Sequence, residues 1–325
     1  MTAYAHTATL PDSSTEVYPY IAIGVYEAST DGTRLLSTGD RTPLSSRTYN
    51  TFRNLANALT SAGRSGFQMQ NFYHWTLVKM MAYAVMGTKN SQWMMGDGPV
   101  DNASPSTTGL ADQAGPYAQS TSQYSKMLVE NPWGSVWAML GDVMLSDYAF
   151  CAGNSLGGAE LGGQTPVQSG AVMPATAKHY VLSASNSSDA WDLPLTTGST
   201  DTSSDPAYTG DNCQTASGQR AMLGGGPHTY GAGSGIATLY GASPLATSHA
   251  LIGTRLSAYL DDYAVGLTDE APVALSLSAP LTLSMGQSTL DEEEAEEPEE
   301  ESAEPTEEPE ETPEESEEEP EEDMR

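Results

Sequence analysis

Few residues in this 325-residue chain are of types and spacings that could do chemistry. Gly153-Asn-Ser-Leu-Gly157 matches the G-x-S-x-G pattern of a hydrolase nucleophile elbow, where a serine on a sharp strand-to-helix turn meets a base. His179, His228 and His249 are candidate bases for Ser155. The segment that follows, Gly158-Ala-Glu-Leu-Gly-Gly-Gln-Thr-Pro166, puts glycines and a proline where the elbow needs a helix, and alternating βα units are missing. A serine hydrolase is therefore the weakest reading. Asp97, Asp101 and Asn102 offer oxygens to calcium, yet they miss the spacing of a twelve-residue calcium loop and no bidentate glutamate closes the set. A solvated turn is expected there, with no metal and no cofactor. Cys151 and Cys213 are too few for a disulfide framework or a zinc cluster and read as two buried thiols. His74 has no second ligand at metal spacing and reads as a hydrogen-bonded core histidine.

A different chemistry is suggested by Leu223–Leu256, LGGGPHTYGAGSGIATLYGASPLATSHALIGTRL, which opens on three glycines and closes on Ile-Gly-Thr-Arg. Small residues, single aromatics and two histidines lie between those ends. Glycines permit backbone paths that side chains would block, so such a stretch can present its middle as a recognition surface.

Charge narrows the partners. The final 35 residues, from Asp291, hold 22 of the 43 acidic residues and a single base, Arg325. Their Glu-Glu-Pro repeats offer no apolar surface to offset ordering entropy, so 291–325 is expected to be disordered. The remaining 290 residues, ample for one large domain, carry 21 acids against 11 bases. An acidic body with scattered bases argues against binding nucleic acid or an anionic membrane, since both need Lys and Arg to neutralise phosphate. No apolar run is long enough to span a bilayer, and MTAYAHTATLPDSS lacks the basic-then-apolar order of a signal peptide, so synthesis in a cytosol is expected.

The elements that must position these residues follow from periodicity. Tyr18–Tyr26 is rich in β-branched and aromatic residues and reads as a strand ended by a turn at Ser29–Gly32. Tyr49, Phe52, Leu55 and Leu59 recur at helical spacing, with Gly63 as a stop. Asn71 can cap a helix over Phe72–Met86, Gly87 can end it, and its nearly all-apolar surface predicts burial all round. Trp133 and Trp137 pin a short strand or turn into the core. Residues 165–222 read as irregular loops with a few short strands, Ser257–Leu260 ends a last strand, and Asp269–Thr289 reads as a strand or extended linker.

Trp-Gly-Ser-Val-Trp (133–137), Gly-Gly-Gly (224–226) and Ile-Gly-Thr-Arg-Leu (252–256), in that order, resemble the landmarks of the C-type lectin fold in its formylglycine-generating-enzyme-like branch. That branch includes retroelement-diversified ligand-binding proteins and phage tropism determinants. YPYIAIGVYE, NFYHWTLVKMMAYAVMGTKNSQ and the MMGDG turn further resemble tail-associated proteins of phages and prophages from gut microbes. The resemblance covers roughly 17–260 and implies an α+β, C-type lectin-like domain with two helices in its N-terminal half, short twisted antiparallel strands and long loops. The implied organisation is a lead over 1–16, the domain over 17–262, an extended linker or strand over 263–290 and the acidic tail over 291–325. Departures limit the carry-over. No cysteine follows Cys213, which removes the enzyme branch's oxidation chemistry. Glu130-Asn-Pro132 and Trp191-Asp-Leu do not match the calcium-dependent sugar motifs, and Ala138 stands where the motif has an acid.

By the resemblance, Trp133, Gly134, Trp137, Gly224, Gly225, Gly226, Gly253 and Arg255 are scaffold landmarks, while His228, Tyr230, Thr238, Tyr240, Ser243, Thr247 and His249 are displayed for ligand binding. Tyr and Ser suit such a surface, since rings give contact area at low entropy cost and hydroxyls adapt. The expectation is a non-enzymatic, adhesin-like virion protein that binds a host cell-surface glycan or protein, contacts other tail proteins and is compatible with a homo-oligomer. The alternative is a structural virion component without receptor contact.

Overall fold

In the computed structural model, the described residues are 6–10, 14–61, 66–96, 98–100, 103–120, 123–153, 167–187 and 190–261. The chain divides into two units, Met1–Ala274 and Leu275–Arg325, and every described residue belongs to the first. The Ser155 motif, Gly63, Asp97, Asp101, Asn102, the 263–290 segment and the acidic tail lie outside the described residues.

The described part is α+β, with three helices and many strands. β1 (Thr7–Thr9) and β2 (Thr15–Val17) form a hairpin within the polar lead. β3 (Tyr20–Glu27) follows, then the short pair β4 (Ser29–Thr30) and β5 (Leu35–Leu36). Helix α1 (Tyr49–Ser61) turns Tyr49, Phe52, Ala56 and Leu59 into the core, the face that the spacing predicts. After β6 (Phe67–Met69), helix α2 spans Phe72–Met86. The Asn71 side chain caps it by accepting from His74 N at 2.8 Å, and Gly87 ends it in the left-handed region at φ 70°. Burial all round holds only for the first half of α2, because Met81, Ala84 and Val85 face solvent. His74 is buried, its Nδ1 3.0 Å from Ser257 Oγ, as a core histidine should be. A third helix, α3 (Ser91–Met95), is short and capped by Asn90.

The small strands β7 (Tyr117–Ser120), β8 (Tyr124–Met127) and β9 (Val129–Glu130) make one antiparallel sheet. Trp133 is buried in the bend that follows β9, as a short strand or turn pinned into the core would have it, whereas Trp137 opens a longer strand, β10 (Trp137–Ser146), ten residues, almost all buried. It pairs with β11 (Ala149–Ala152), which pairs in turn with β12 (Val167–Val172). Next come β13 (His179–Ala184), β14 (Pro194–Gly198), β15 (Asn212–Thr215) and β16 (Gln219–Gly224). β17 (Leu239–Pro244), β18 (Ile252–Gly253) and β19 (Arg255–Leu260) complete the set. The main sheet runs β12-β11-β10-β16-β17-β15-β13-β14, with β18 added beside β10. The few short strands expected among loops over 165–222 are present, but there are five of them, the last running on to Gly224, and all belong to that sheet. Their Ser and Thr residues hide the alternation that would have announced them. Two pairings, β10 with β18 and β15 with β17, are parallel, so the strands are not all antiparallel.

A second sheet, β3-β19-β6, places the last strand at its centre. Arg255, the first residue of β19, is buried and clamps the fold. Its Nη1 donates to Gly24 O and Val25 O at 2.9 and 2.7 Å, and its Nη2 to Glu130 O and Asn131 O at 2.6 and 3.3 Å. Glu27 accepts from Ser135 Oγ at 2.8 Å and from the Val136 amide at 3.2 Å. Glu130 accepts from the Gly109 and Ala111 amides at 2.8 and 2.9 Å. Burial pushes the Glu27 carboxyl up to about 7 although the Arg255 charge pulls it down. Burial likewise lowers the guanidinium to about 10, which still leaves it charged at neutral pH. On the far side, Lys79 and Lys89 share Asp192, at 3.2 and 3.0 Å, and Tyr83 donates to the same carboxylate at 2.8 Å.

Two outcomes follow. Removing one partner from a buried ionic network leaves uncompensated charge, so Arg255→Met is expected to cost about 3–5 kcal/mol in urea unfolding, and Arg255→Lys, which cannot serve four carbonyls, to recover only part. For Glu27, the folded state keeps a proton that the unfolded chain has released between pH 4.5 and about 7. Its contribution to stability therefore falls as pH rises through that window and is flat above it. Melting curves of Glu27→Gln should lose a pH-dependent component of up to about 3 kcal/mol across this range, and an unaltered slope would show that Glu27 does not titrate there.

Candidate ligand-binding face

The three sequence landmarks meet at one residue. Ala138 in β10 pairs with Gly224 of β16 on one side and with Gly253 of β18 on the other. Just before it, Gly134 N donates to Gly226 O at 3.0 Å and His228 N to Ser135 O at 2.8 Å. The glycines are needed for these approaches. A Cβ on Gly224 would meet the Trp75 ring at 2.8 Å, and one on Gly225, at φ 88°, would meet Pro132 O at 2.6 Å. Trp133 is fully buried and its indole donates to Gly96 O at 3.1 Å.

From this junction the Trp137 ring projects between two half-buried tyrosines. Tyr230 lies 5.0 Å away edge-on and Tyr240 5.2 Å away at a tilt. Beneath them is a core of Trp137, Met139, Leu223 and Ile252, closed by Tyr49 and Phe52 of α1. Tyr240 reaches this side because β17 alternates: Leu239 enters the opposite core, with Phe72 and Trp75, and the next residue points the other way. Burial pushes the Tyr230 phenol well above its ordinary value. Lys178 sits over the Tyr230 ring, its Nζ 3.7 Å from the centroid and 3.3 Å from the Tyr230 carbonyl.

Of the residues expected on display, His249 is exposed and Tyr230, Tyr240 and Thr247 are half-buried. His249 Nδ1 accepts from the Leu251 amide at 3.1 Å, which leaves Nε2 as the other ring nitrogen. His228, Thr238 and Ser243 are buried, so the expectation that they are displayed is corrected. The Thr238 hydroxyl donates to Gly233 O at 2.7 Å inside the turn, and Ser243 pairs with Ala221 within the sheet. The sequence reading missed Lys178. It is the single basic residue between Lys126 and Arg220, a signal that the chain did carry.

Elsewhere, an open apolar cavity of about 350 Å³ lies among β3, β5, β19 and α1, lined by Ile23, Leu35, Leu59, Phe67 and Leu256 without a titratable side chain. Cys151 and Cys213 are buried, unpaired thiols, Cys213 pushed up to about 12 by burial. Among the described residues no three His, Cys, Asp or Glu side chains gather as a metal site, and no helix is long and apolar enough to cross a membrane.

The fold and this face define an α+β, strand-dominated protein. No protein-family model and no curated protein matches the chain.

The landmark junction is itself testable. Gly225→Ala combines left-handed backbone with a carbonyl collision, and equilibrium unfolding should show a loss of about 2 kcal/mol or more, against a few tenths for an alanine at exposed Gly115, where nothing lies within reach of the added methyl.

Proposed function

We propose that the chain is a non-enzymatic, adhesin-like ligand-binding protein with a C-type lectin-like domain, carried by a phage or prophage tail, and that its 227–250 face recognises a host cell-surface glycan or protein. The observation that carries this reading is the aromatic cluster of Trp137, Tyr230 and Tyr240 at the rim of the sheet, with Lys178 over the Tyr230 ring; His249 is exposed two residues before Leu251, whose carbonyl accepts from the Trp137 amide. Rings held rigidly by a core, with flexible polar groups around them, provide contact area at small entropic cost. The convergence of the three resembling landmarks on Ala138 supports the lectin-like reading, since separate short motifs matter together only when the fold joins them. Virion placement and contacts with other tail proteins rest on the resemblance of the N-terminal segments.

Labelled protein is expected to adsorb to a subset of a panel of gut bacterial isolates. The double variant Lys178→Glu/His249→Glu alters two exposed side chains, so its melting temperature should move by no more than about 2 °C, while adsorption falls at least about tenfold. Adsorption to no isolate favours the structural-component alternative, and equal adsorption by the variant moves the binding surface elsewhere.

A further inference from the structure

Lys79 and Asp192 bring an amine and a carboxyl together where water does not reach. Their side chains are 0% and 1% exposed, and Lys79 Nζ lies 3.2 Å from Asp192 Oδ2. The two residues stand 113 positions apart, Lys79 within α2 and Asp192 in the turn before β14. Phe72, whose ring centroid is 5.9 Å from Nζ, belongs to one buried apolar cluster with Ala190 and Leu193, which flank Asp192 in the sequence. An ammonium has three N–H donors, and among the described residues Asp192 is the one acceptor that Nζ meets. A sealed charge with so few partners keeps much of its desolvation cost.

The carboxyl is held in place from every side. Asp192 sits in the left-handed region at φ 59°, its amide donates to Ser185 O at 2.8 Å, and the Ser185 amide donates to Leu193 O at 2.8 Å. Each carboxyl oxygen has its own donor besides Lys79: Lys89 Nζ lies 3.0 Å from Oδ1, and the Tyr83 hydroxyl donates to Oδ2 at 2.8 Å. Burial alone would raise this carboxyl, but the Lys79 and Lys89 charges and the Tyr83 hydroxyl outweigh it and hold it below its ordinary value, so the resting contact is an ion pair. Asp211, a further carboxyl whose field acts on the pair, is pushed up to about 7 by burial and is protonated in much of the protein near neutral pH.

These are the parts of a condensation. Passing one proton from Nζ to Oδ2 turns the ion pair into an amine and an acid, forms that a dry interior favours. The amine nitrogen then attacks Cγ, and the Lys89 ammonium stabilises the negative charge that develops on Oδ1. Tyr83 relays the second proton of the nitrogen to Oδ2. The Nζ–Cγ bond forms, the Cγ–Oδ2 bond breaks, and Oδ2 leaves as water, with no oxidant, reductant or co-reactant consumed. Holding the two groups in contact replaces the activation that an amide bond otherwise needs, and exclusion of water opposes hydrolysis. Lys89 stays satisfied afterwards, because its side chain is 48% exposed and its Nζ lies 5.8 Å and 5.4 Å from the Tyr83 and Trp191 ring centroids. We infer that Lys79 and Asp192 join in an intramolecular isopeptide bond, a self-catalysed modification that ties α2 covalently to the turn before β14. In a chain whose two cysteines are buried, unpaired thiols, this bond is the cross-brace that a disulfide would otherwise be.

Mass spectrometry of the full chain, purified and then denatured, tests this. The intact mass should lie one water below that of the sequence with its observed N-terminus, and trypsin should release a branched peptide that joins 65–89 to 179–220 through Lys79 and Asp192. Lys79→Met and Asp192→Ala should each restore the full mass. In pulsed cell-free synthesis, Lys89→Gln should slow the appearance of the branched peptide by about tenfold or more, and an unaltered rate removes Lys89 from the mechanism. The wild-type mass and peptide map decide the question even where a variant does not fold. An intact mass equal to that of the sequence, a water lost elsewhere in the chain, or a branch through Lys89 overturns the inference.

Discussion

The buried guanidinium of Arg255 is the constraint on which the rest of the described structure depends. A charge taken out of water must be compensated nearby, and here four backbone carbonyls from two separate segments do so, with the Glu27 and Glu130 carboxylates supplying the opposing field. Those partners lie 124 to 231 residues away along the chain. Satisfying one side chain therefore fixes where β3 runs, where the chain turns after β9, and where β19 begins. Glu27 extends the same network to Ser135 and Val136, immediately before Trp137. The ring that organises the candidate face is thus tied within two residues to the charge network of the core.

The asymmetry between the two cores explains why a recognition surface forms where it does. One core, with Phe72, Trp75, Leu140 and Leu239, is closed by α2 and by the strands from β11 to β15. The other is covered by α1 on one part of its surface, and its rim is left to Tyr230, Tyr240, Leu245 and Leu251. Aromatic side chains suit a rim, because each ring buries apolar area against Trp137 while part of the side chain stays exposed. The loop from Gly231 to Gly235 then folds back tightly. Gly235 passes so close to the Asp211 carboxylate that no side chain fits, and Asp211 accepts from Gln92 Nε2 at 2.9 Å and from the Ala237 amide. This anchoring gives a loop of small residues a fixed shape with few apolar contacts of its own.

Much of the architecture was legible because it depends on short-range physics. The caps at Asn71 and Gly87 and the apolar face of α1 are local devices, and each occurs at its expected residue. Of the strands between 167 and 215, only that a few short ones occur was legible, not how many or how they pair. Their residues are small or hydroxylic, and their partners are remote: β15 runs parallel to β17, and β12 attaches through β11. Side-chain orientation in the turn before β17 was equally hidden. Thr238 and Tyr240 look alike as displayable residues in the sequence, yet one is sealed against Gly233 O and the other lies at the rim.

Composition and periodicity by themselves determined that this chain has an acidic body and a more acidic tail, two substantial helices in its N-terminal half, and a glycine-framed stretch at 223–256. Those properties reside in neighbouring residues, where propensity, capping and charge density act. The tertiary structure decided which of the framed residues reach the surface, and it brought Lys178 to Tyr230 from elsewhere in the chain. Burial and convergence depend on which distant strands pair, and no local pattern encodes that.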